Sequence, residues 1–365
     1  KPTDSGAPAL HILVLLAICV GAPYLLLSTT GPLLQRWFTW THPGRTPYRL
    51  YAVSNVGSLL GLLIYPFAVE PVLGLHRQTA IWSCSYAAFA ALCAWCAVRL
   101  WREVPAEPKR AARSGEDDGP DADAEGAQAR PAAGRRVLWV ALAACGSALL
   151  LSTTNQLTQD VAPAPFLWVL PLSLYLLTFI VCFGRERWYD RRVWAPLLFA
   201  GLAGVVVLLD RFSDAPWWVQ VAGFSAALTI CCMVCHGELV RLKPAARELT
   251  GFYLMVSLGG ALGGVFVSLI APGVFPDYWE FHLALIATLA LFCVCLFADK
   301  RVFLHRGWGR LGCVALVDGF LALDYYLGTD AQSRVADALA TSRNFYGVLR
   351  VKEYDHGTAG NARYL

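Results

Sequence analysis

Cys232, Cys235 and His236 have the spacing of a CxxCH motif, in which two thiols and an imidazole could attach a c-type haem. The motif ends a continuous apolar run, and the loop that follows it is basic. Basic loops mark the cytoplasmic side of a membrane, whereas c-type haem is attached on the other side. One cluster also lacks the second pair of ligands that a tetrahedral zinc site needs. We therefore predict structural cysteines, with no cofactor and no metal site in this chain.

His236 and Glu238 stand two residues apart where the same apolar run ends. At a membrane face, such a histidine and carboxylate could contact a soluble domain that follows the membrane part. Alternatively they cap the helix, and Glu238 pairs with Arg241 nearly one turn further on. We predict the second arrangement and assign no catalytic residue.

The glycines that follow do not fit a nucleotide-binding loop, because apolar residues continue on both sides of them. They recur at a four-residue spacing, which places small residues on one helix face and lets a neighbouring helix approach closely. An earlier apolar run has the same spacing. The predicted packing positions are Gly57, Gly61, Gly259, Gly260, Gly263 and Gly264.

Two polar clusters also lie within apolar runs, at 28–30 and 152–156. We favour hydrogen bonds between helices near the span ends, and the alternative is a polar cavity. The candidate cavity residues are Ser28, Thr29, Thr30, Asn55, Ser152, Thr153, Thr154, Asn155, Gln156 and Tyr253.

Membrane helices must position all of these residues. The 365 residues are 57% hydrophobic and 15% charged, and the mean hydropathy is +0.49. Apolar runs recur at the length of about 20 residues that crosses a hydrocarbon core as helix. They lack the alternation of barrel strands. We predict an all-α polytopic membrane protein, a bundle of about nine or ten transmembrane helices that contacts the lipid bilayer and no nucleic acid.

The predicted organisation has four parts. Transmembrane helices 1 to 3 occupy 1–100, a disordered cytoplasmic linker occupies 101–136, the remaining helices occupy 137–330, and a soluble domain starts at 342–365. The nine predicted spans are 9–34, 50–69, 78–98, 137–155, 165–183, 193–209, 216–235, 249–271 and 281–298.

Basic residues concentrate in alternate loops. The linker and the loops at 184–192, 237–248 and 300–310 are rich in Arg and Lys, whereas those at 156–164 and 272–280 have none. The positive-inside rule places the basic loops in the cytoplasm. Lys1 is then outside, which suggests that further spans precede it in the complete protein.

The C-terminal region changes character. The apolar run 311–328 contains Asp318 and Asp324, so it is either a helix at the membrane interface or a tenth span, and we favour the tenth span. The run from Asn344 to Tyr354 is β-rich and a turn signal follows it, which predicts a β-hairpin.

Several blocks together resemble the bacterial fused major facilitator/spermidine synthase-like proteins. They are STTGPLLQRWF at 28–38, YRLYAVSNVGSLLGLLIYPFAVEP at 48–71, APFLWVLPLSLYLLTF at 164–179, VCHGELVRLKP at 234–244, FYLMVSLGGALGG at 252–264 and SRNFYGVLRV at 342–351. The resemblance implies a major-facilitator-like membrane part in the bacterial inner membrane. It also implies a cytoplasmic aminopropyltransferase-like domain, of which 342–365 would be the opening hairpin. The family's loop for decarboxylated S-adenosylmethionine and its diamine-binding acids have no counterpart before Leu365.

Three functions are compatible with these features. The chain could be the membrane part of such a fusion protein, with the catalytic domain following Leu365. It could be a transporter of a polyamine or another small metabolite that uses the polar clusters. It could also be a structural subunit that binds other membrane subunits in a larger complex.

Overall fold

The structure of the protein is a computed structural model. It describes residues 8–42, 48–103, 133–160, 167–211, 215–244, 248–299, 319, 322–323, 325–329, 340–344, 347–354 and 362–364. Most of the predicted linker lies outside the described residues. The same holds for the basic loop 300–310, for Asp318 and Asp324, and for the turn signal after Tyr354.

Nearly all of the described chain is helical. The α-helices are α1 (Pro8–Leu16), α2 (Ala22–Thr41), α3 (Tyr48–Ile64), α4 (Leu75–Glu103), α5 (Ala133–Asp160), α6 (Val169–Gly184), α7 (Arg191–Asp210), α8 (Trp217–Arg241), α9 (Leu249–Val265), α10 (Ala271–Val274) and α11 (Trp279–Ala298). Short π-helical turns follow α1, α3 and α9, at Ala17–Gly21, Tyr65–Val69 and Phe266–Ile270.

The predicted membrane architecture is confirmed at the level of helical class. Seven helices of the described residues are long and apolar enough to cross a membrane, and the bent pair Leu10–Gly21 and Tyr24–Thr41 would make an eighth. Their positions match eight of the predicted spans. The fifth predicted span corresponds to α6, which is apolar but has only 16 residues. The chain is therefore an integral membrane protein of the helical type.

The core lies among α5, α8 and α11, each buried over about half of its apolar window, whereas no described side chain of α4 is buried. Helices α5 and α9 run parallel, because Gly259 lies against Ala143 and Gly263 lies against Ser147, four residues further along both helices. Helices α7 and α8 run antiparallel, because Gly201 lies against Ile230 and Gly223 against Leu208.

The bundle has two chemically different ends. At the basic end, α5 and α7 begin and α8 ends, and this end carries Arg135, Arg191 and Arg241. At the opposite end α7 finishes and α11 begins, with Glu280 in its first turn.

The C-terminal strands form a small antiparallel sheet in the order β1 (Ala340–Asn344), β2 (Gly347–Tyr354) and β3 (Ala362–Tyr364). The predicted β-rich run is therefore divided between two strands, since β1 ends at Asn344 and β2 begins at Gly347. Strand β1, which begins four residues before that run, makes the contact with the helical bundle that is described below.

Candidate functional site at the basic end

Glu238 is the most completely buried carboxylate at the basic end, with none of its side chain exposed to solvent. Arg191 binds it through two parallel hydrogen bonds, with Nε 2.7 Å from Oε1 and Nη2 2.6 Å from Oε2. This fork geometry is the strongest form of the Arg–carboxylate pair. Glu238 is thus paired with Arg191 at the start of α7, and the Arg241 partner that we predicted is bound elsewhere.

Arg191 also joins Glu238 to the end of α11. Its Nη1 donates to Asp299 Oδ2 at 2.9 Å, and its Nη2 donates to the carbonyl oxygen of Cys295 at 3.3 Å. Arg241 donates to the same Asp299 oxygen at 3.2 Å. Two cations and two carboxylates therefore connect the ends of α7, α8 and α11, and their formal charges cancel.

Tyr189 completes the coordination of Glu238. Its hydroxyl donates to Oε1 at 2.8 Å, and its ring lies against Gly237 so closely that a Cβ atom there would overlap it. Burial, and next the Glu238 carboxylate beside it, raise the pKa of Tyr189. The hydroxyl therefore keeps its proton and acts as a donor. Tyr189 therefore contacts two consecutive residues of α8, Gly237 through its ring and Glu238 through its hydroxyl.

We expect Gly237→Ala to destabilise the protein by about 1–3 kcal/mol, because an overpacked side chain must be displaced. Thermal unfolding in mild detergent measures the change. Gly204→Ala is the matched control, since a Cβ at Gly204 in α7 meets nothing within 4 Å. In a Tyr189→Ala background the cost of Gly237→Ala should nearly vanish. An equal cost in both backgrounds would contradict the assigned contact.

His236 is fully buried between α5 and α6, with its ring stacked on Phe179 at a centroid distance of 3.7 Å. Thr178 Oγ1 lies 2.9 Å from His236 Nδ1 and donates its own proton to the Tyr175 carbonyl at 2.7 Å. Because that hydroxyl has one proton, Nδ1 must be the donor to Thr178. Nε2 is then an acceptor that faces Gly146, and it has no hydrogen-bond partner among the described residues.

The CxxCH cysteines are enclosed in the same core. Cys232 and Cys235 are completely buried, and the thiol of Cys145 in the same core lies 3.3 Å from Thr288 Oγ1. Among the described residues, no group of three or more His, Cys, Asp or Glu side chains is arranged to hold a metal ion. The geometry gives these thiols the role of packed core side chains. That this chain needs no cofactor stays a prediction.

The predicted cavity residues occupy separate places. Ser28, Thr29 and Thr30 lie on the outside of α2 and bond to carbonyl oxygens of their own helix. On α5, Ser152 and Thr153 are each 1% exposed and Gln156 is 2% exposed, whereas Thr154 and Asn155 are partly buried. Asn55 donates to the Tyr51 carbonyl of its own helix, and the Tyr51 ring lies 4.6 Å from that of Tyr253.

The predicted packing glycines also divide into two groups. A Cβ at Gly259 would lie 2.8 Å from Ala143 Cβ, and one at Gly263 would lie 3.0 Å from Ser147 Cβ, both on α5. In contrast, a Cβ at Gly57, Gly61 or Gly260 would meet nothing within 4 Å, and one at Gly264 would make an ordinary contact with Leu151.

A second buried ion pair lies at the opposite end. Arg343 of β1 binds Glu280 of α11 through Nη2 to Oε1 at 2.7 Å and Nη1 to Oε2 at 3.0 Å. The Arg343 side chain is 4% exposed and that of Glu280 is fully buried. The guanidinium also donates to the Asp277 carbonyl and lies over the Tyr278 ring, 4.8 Å from its centroid.

Sequence reasoning missed Arg191, Tyr189, Asp299 and the Arg343–Glu280 pair. The signal for Glu280 was available, since a carboxylate in the first turn of an apolar helix needs a partner. Nothing local indicated which cation would supply it, because Arg343 is 63 residues away in the chain.

No protein family model matches the chain, and no curated protein and no solved structure matches it. The resemblance to major facilitator/spermidine synthase-like proteins therefore rests on the six sequence blocks alone.

Proposed function

We propose that this chain is the membrane part of a spermidine synthase-like fusion protein and that it serves as a rigid anchor for the soluble domain that opens with the C-terminal strands. The bundle would be major-facilitator-like and would lie in the bacterial inner membrane. The observation that supports the anchor is the Arg343–Glu280 pair. It joins the strands to α11 through a two-bond, buried contact.

The physical argument rests on burial. An exposed ion pair contributes about 0–1 kcal/mol and would leave the strands loosely tethered. Breaking a buried pair leaves an uncompensated charge and costs about 3–5 kcal/mol. Since Arg343 has two hydrogen bonds to Glu280, a further one to Asp277 and a ring beneath it, separating β1 from the bundle is costly. The strands and the helices should therefore move as one unit.

The transporter alternative receives less support from the same residues. A route for a small amine would need the polar clusters of α2 and α5 to face a common space. The α2 hydroxyls instead lie outside and bond to their own helix, and the α5 residues Ser152 and Thr153 are packed in the core.

Limited trypsin digestion of the purified chain in mild detergent tests the anchor. The strands contain cleavable sites at Arg350 and Lys352, and we expect them to be cut slowly in the wild type and at least tenfold faster in Arg343→Met. Arg211→Met is the control, because Arg211 is an exposed cation at the same end of the bundle. Equal cleavage of all three proteins would overturn the anchor.

Uptake by proteoliposomes separates the anchor from the transporter. The anchor function predicts no accumulation of a radiolabelled aliphatic diamine above that of empty vesicles. Saturable uptake that is lost in a Ser152→Leu variant would replace this proposal with the transporter.

A further inference from the structure

The side of the membrane on which the C-terminal strands lie can be derived from the helices around them. The resemblance of the sequence implies a cytoplasmic soluble domain, and therefore strands on the same side as the basic loops. Contacts at three depths of the bundle bear on this expectation.

The first contacts are those of Gly319 and Tyr326, two of the described helical residues after Asp299, with α7. A Cβ at Gly319 would lie 3.3 Å from the Phe199 ring, and the Tyr326 hydroxyl donates to the Val206 carbonyl at 3.3 Å. Tyr326 follows Gly319 by seven residues, and Val206 follows Phe199 by seven residues. Seven residues correspond to about 10 Å along a helix axis. The two segments therefore advance side by side in the same direction.

The direction of α7 is fixed by its ends. It begins at the basic end with Arg191, which binds Glu238 and Asp299, and it finishes at the opposite end with Asp210. Asp299 is thus at the basic end, residue 319 lies beside Phe199, and residue 326 lies at the level of Val206. Leu323 and Leu327 of this segment are buried, as expected for a helix packed within the bundle.

The last contact, after those at Phe199 and Val206, is the Arg343–Glu280 pair. Glu280 is in the first turn of α11, at the opposite end, and α10 beside it also contacts β1. Strand β1 is therefore on the face of the bundle opposite Arg191 and Arg241. The Arg191–Asp299 pair therefore holds one end of α11, and the Arg343–Glu280 pair holds the other end.

We infer that the chain crosses the membrane once more between Asp299 and Ala340, and that the C-terminal strands lie on the non-cytoplasmic side. The positive-inside rule supplies the orientation, since the connection before α7 at the basic end carries Arg185 and Arg187, whereas the connection after α7 at the opposite end carries Arg211 as its one Arg or Lys residue. If the proposed function holds, the soluble domain is displayed outside the cytoplasm, and its amine substrate must be reached there. The placement itself depends only on the contacts and on the charge distribution.

Cysteine labelling in intact cells tests this placement on the full chain. Ser342→Cys introduces a thiol at an exposed position of β1, and Arg187→Cys introduces one at an exposed position of the basic end. With a membrane-impermeant maleimide, we expect Ser342→Cys to label at least tenfold above the wild type without permeabilisation. Arg187→Cys should label only after permeabilisation. The reverse pattern would overturn the inference.

Reporter fusions give a readout that does not depend on thiol reactivity. Alkaline phosphatase fused after Leu365 should be active, and green fluorescent protein fused at the same position should be dark, because the first folds only outside the cytoplasm and the second only inside. A fluorescent, phosphatase-negative pair would overturn the inference. Neither experiment measures anchoring, so failure of the trypsin test with success here would reject the anchor alone.

Discussion

Arg191→Met should destabilise the protein by about 3–5 kcal/mol, because it leaves the fully buried Glu238 carboxylate without its cation. The variant also removes the bond from α7 to Asp299, so the basic ends of three helices lose their common partner. Thermal or denaturant unfolding in mild detergent measures the loss. Arg192→Met is the matched control, since Arg192 is adjacent, exposed and outside the network.

The double variant Arg191→Met/Glu238→Met distinguishes a charge effect from a general packing effect. Replacing both partners of a buried pair with apolar residues is often neutral or stabilising. We therefore expect the double variant to recover most of the stability that Arg191→Met loses. Additive losses in the two single variants and the double variant would contradict the electrostatic explanation.

Gly259→Ala and Gly263→Ala are expected to separate α5 from α9. Each new Cβ would overlap a carbonyl oxygen of α5, that of Val140 in one case and that of Ala144 in the other. Backbone atoms cannot rotate away as a side chain can. We therefore expect each variant to lose about 3 kcal/mol of stability, the upper end of the range that is typical of overpacking. Unfolding in mild detergent measures it.

Gly260→Ala is a control of opposite sign. The residue is one position away in the same helix, and a Cβ there meets nothing within 4 Å. Alanine favours the helix over glycine by about 0.5–1 kcal/mol, so this variant should be neutral or slightly more stable. Equal destabilisation by Gly259→Ala and Gly260→Ala would contradict the assigned contact between Gly259 and α5.

The two ends of the bundle use the same chemistry for different purposes. At the basic end, Arg191 ties helices to one another through Glu238. At the opposite end, Arg343 ties a non-helical segment to the bundle through Glu280. In both cases arginine is suited to the position, because its planar fork satisfies both carboxylate oxygens at once. A lysine at either site could not form the two parallel hydrogen bonds.

The predicted Glu238–Arg241 pair shows where sequence reasoning reaches its limit. The spacing between these residues is suitable for a pair on one helix face, yet an intrahelical pair contributes only a few tenths of a kcal/mol. Arg191 offers two bonds from a neighbouring helix, and the Tyr189 hydroxyl adds a third. The Glu238 carboxylate therefore binds Arg191 and Tyr189, which together donate three hydrogen bonds, and Arg241 binds Asp299.

The sequence by itself determined the helical membrane class, the positions of the spans and the presence of C-terminal strands. These follow from hydropathy, length and β-propensity, which are properties of contiguous residues. Only the tertiary structure decided which glycines meet a neighbour, as Gly259 and Gly263 do and Gly260 does not. It also decided which arginine meets which carboxylate, since Arg191 and Glu238 are 47 residues apart. Such pairs depend on the order and rotation of the helices, which the local pattern of residues does not specify.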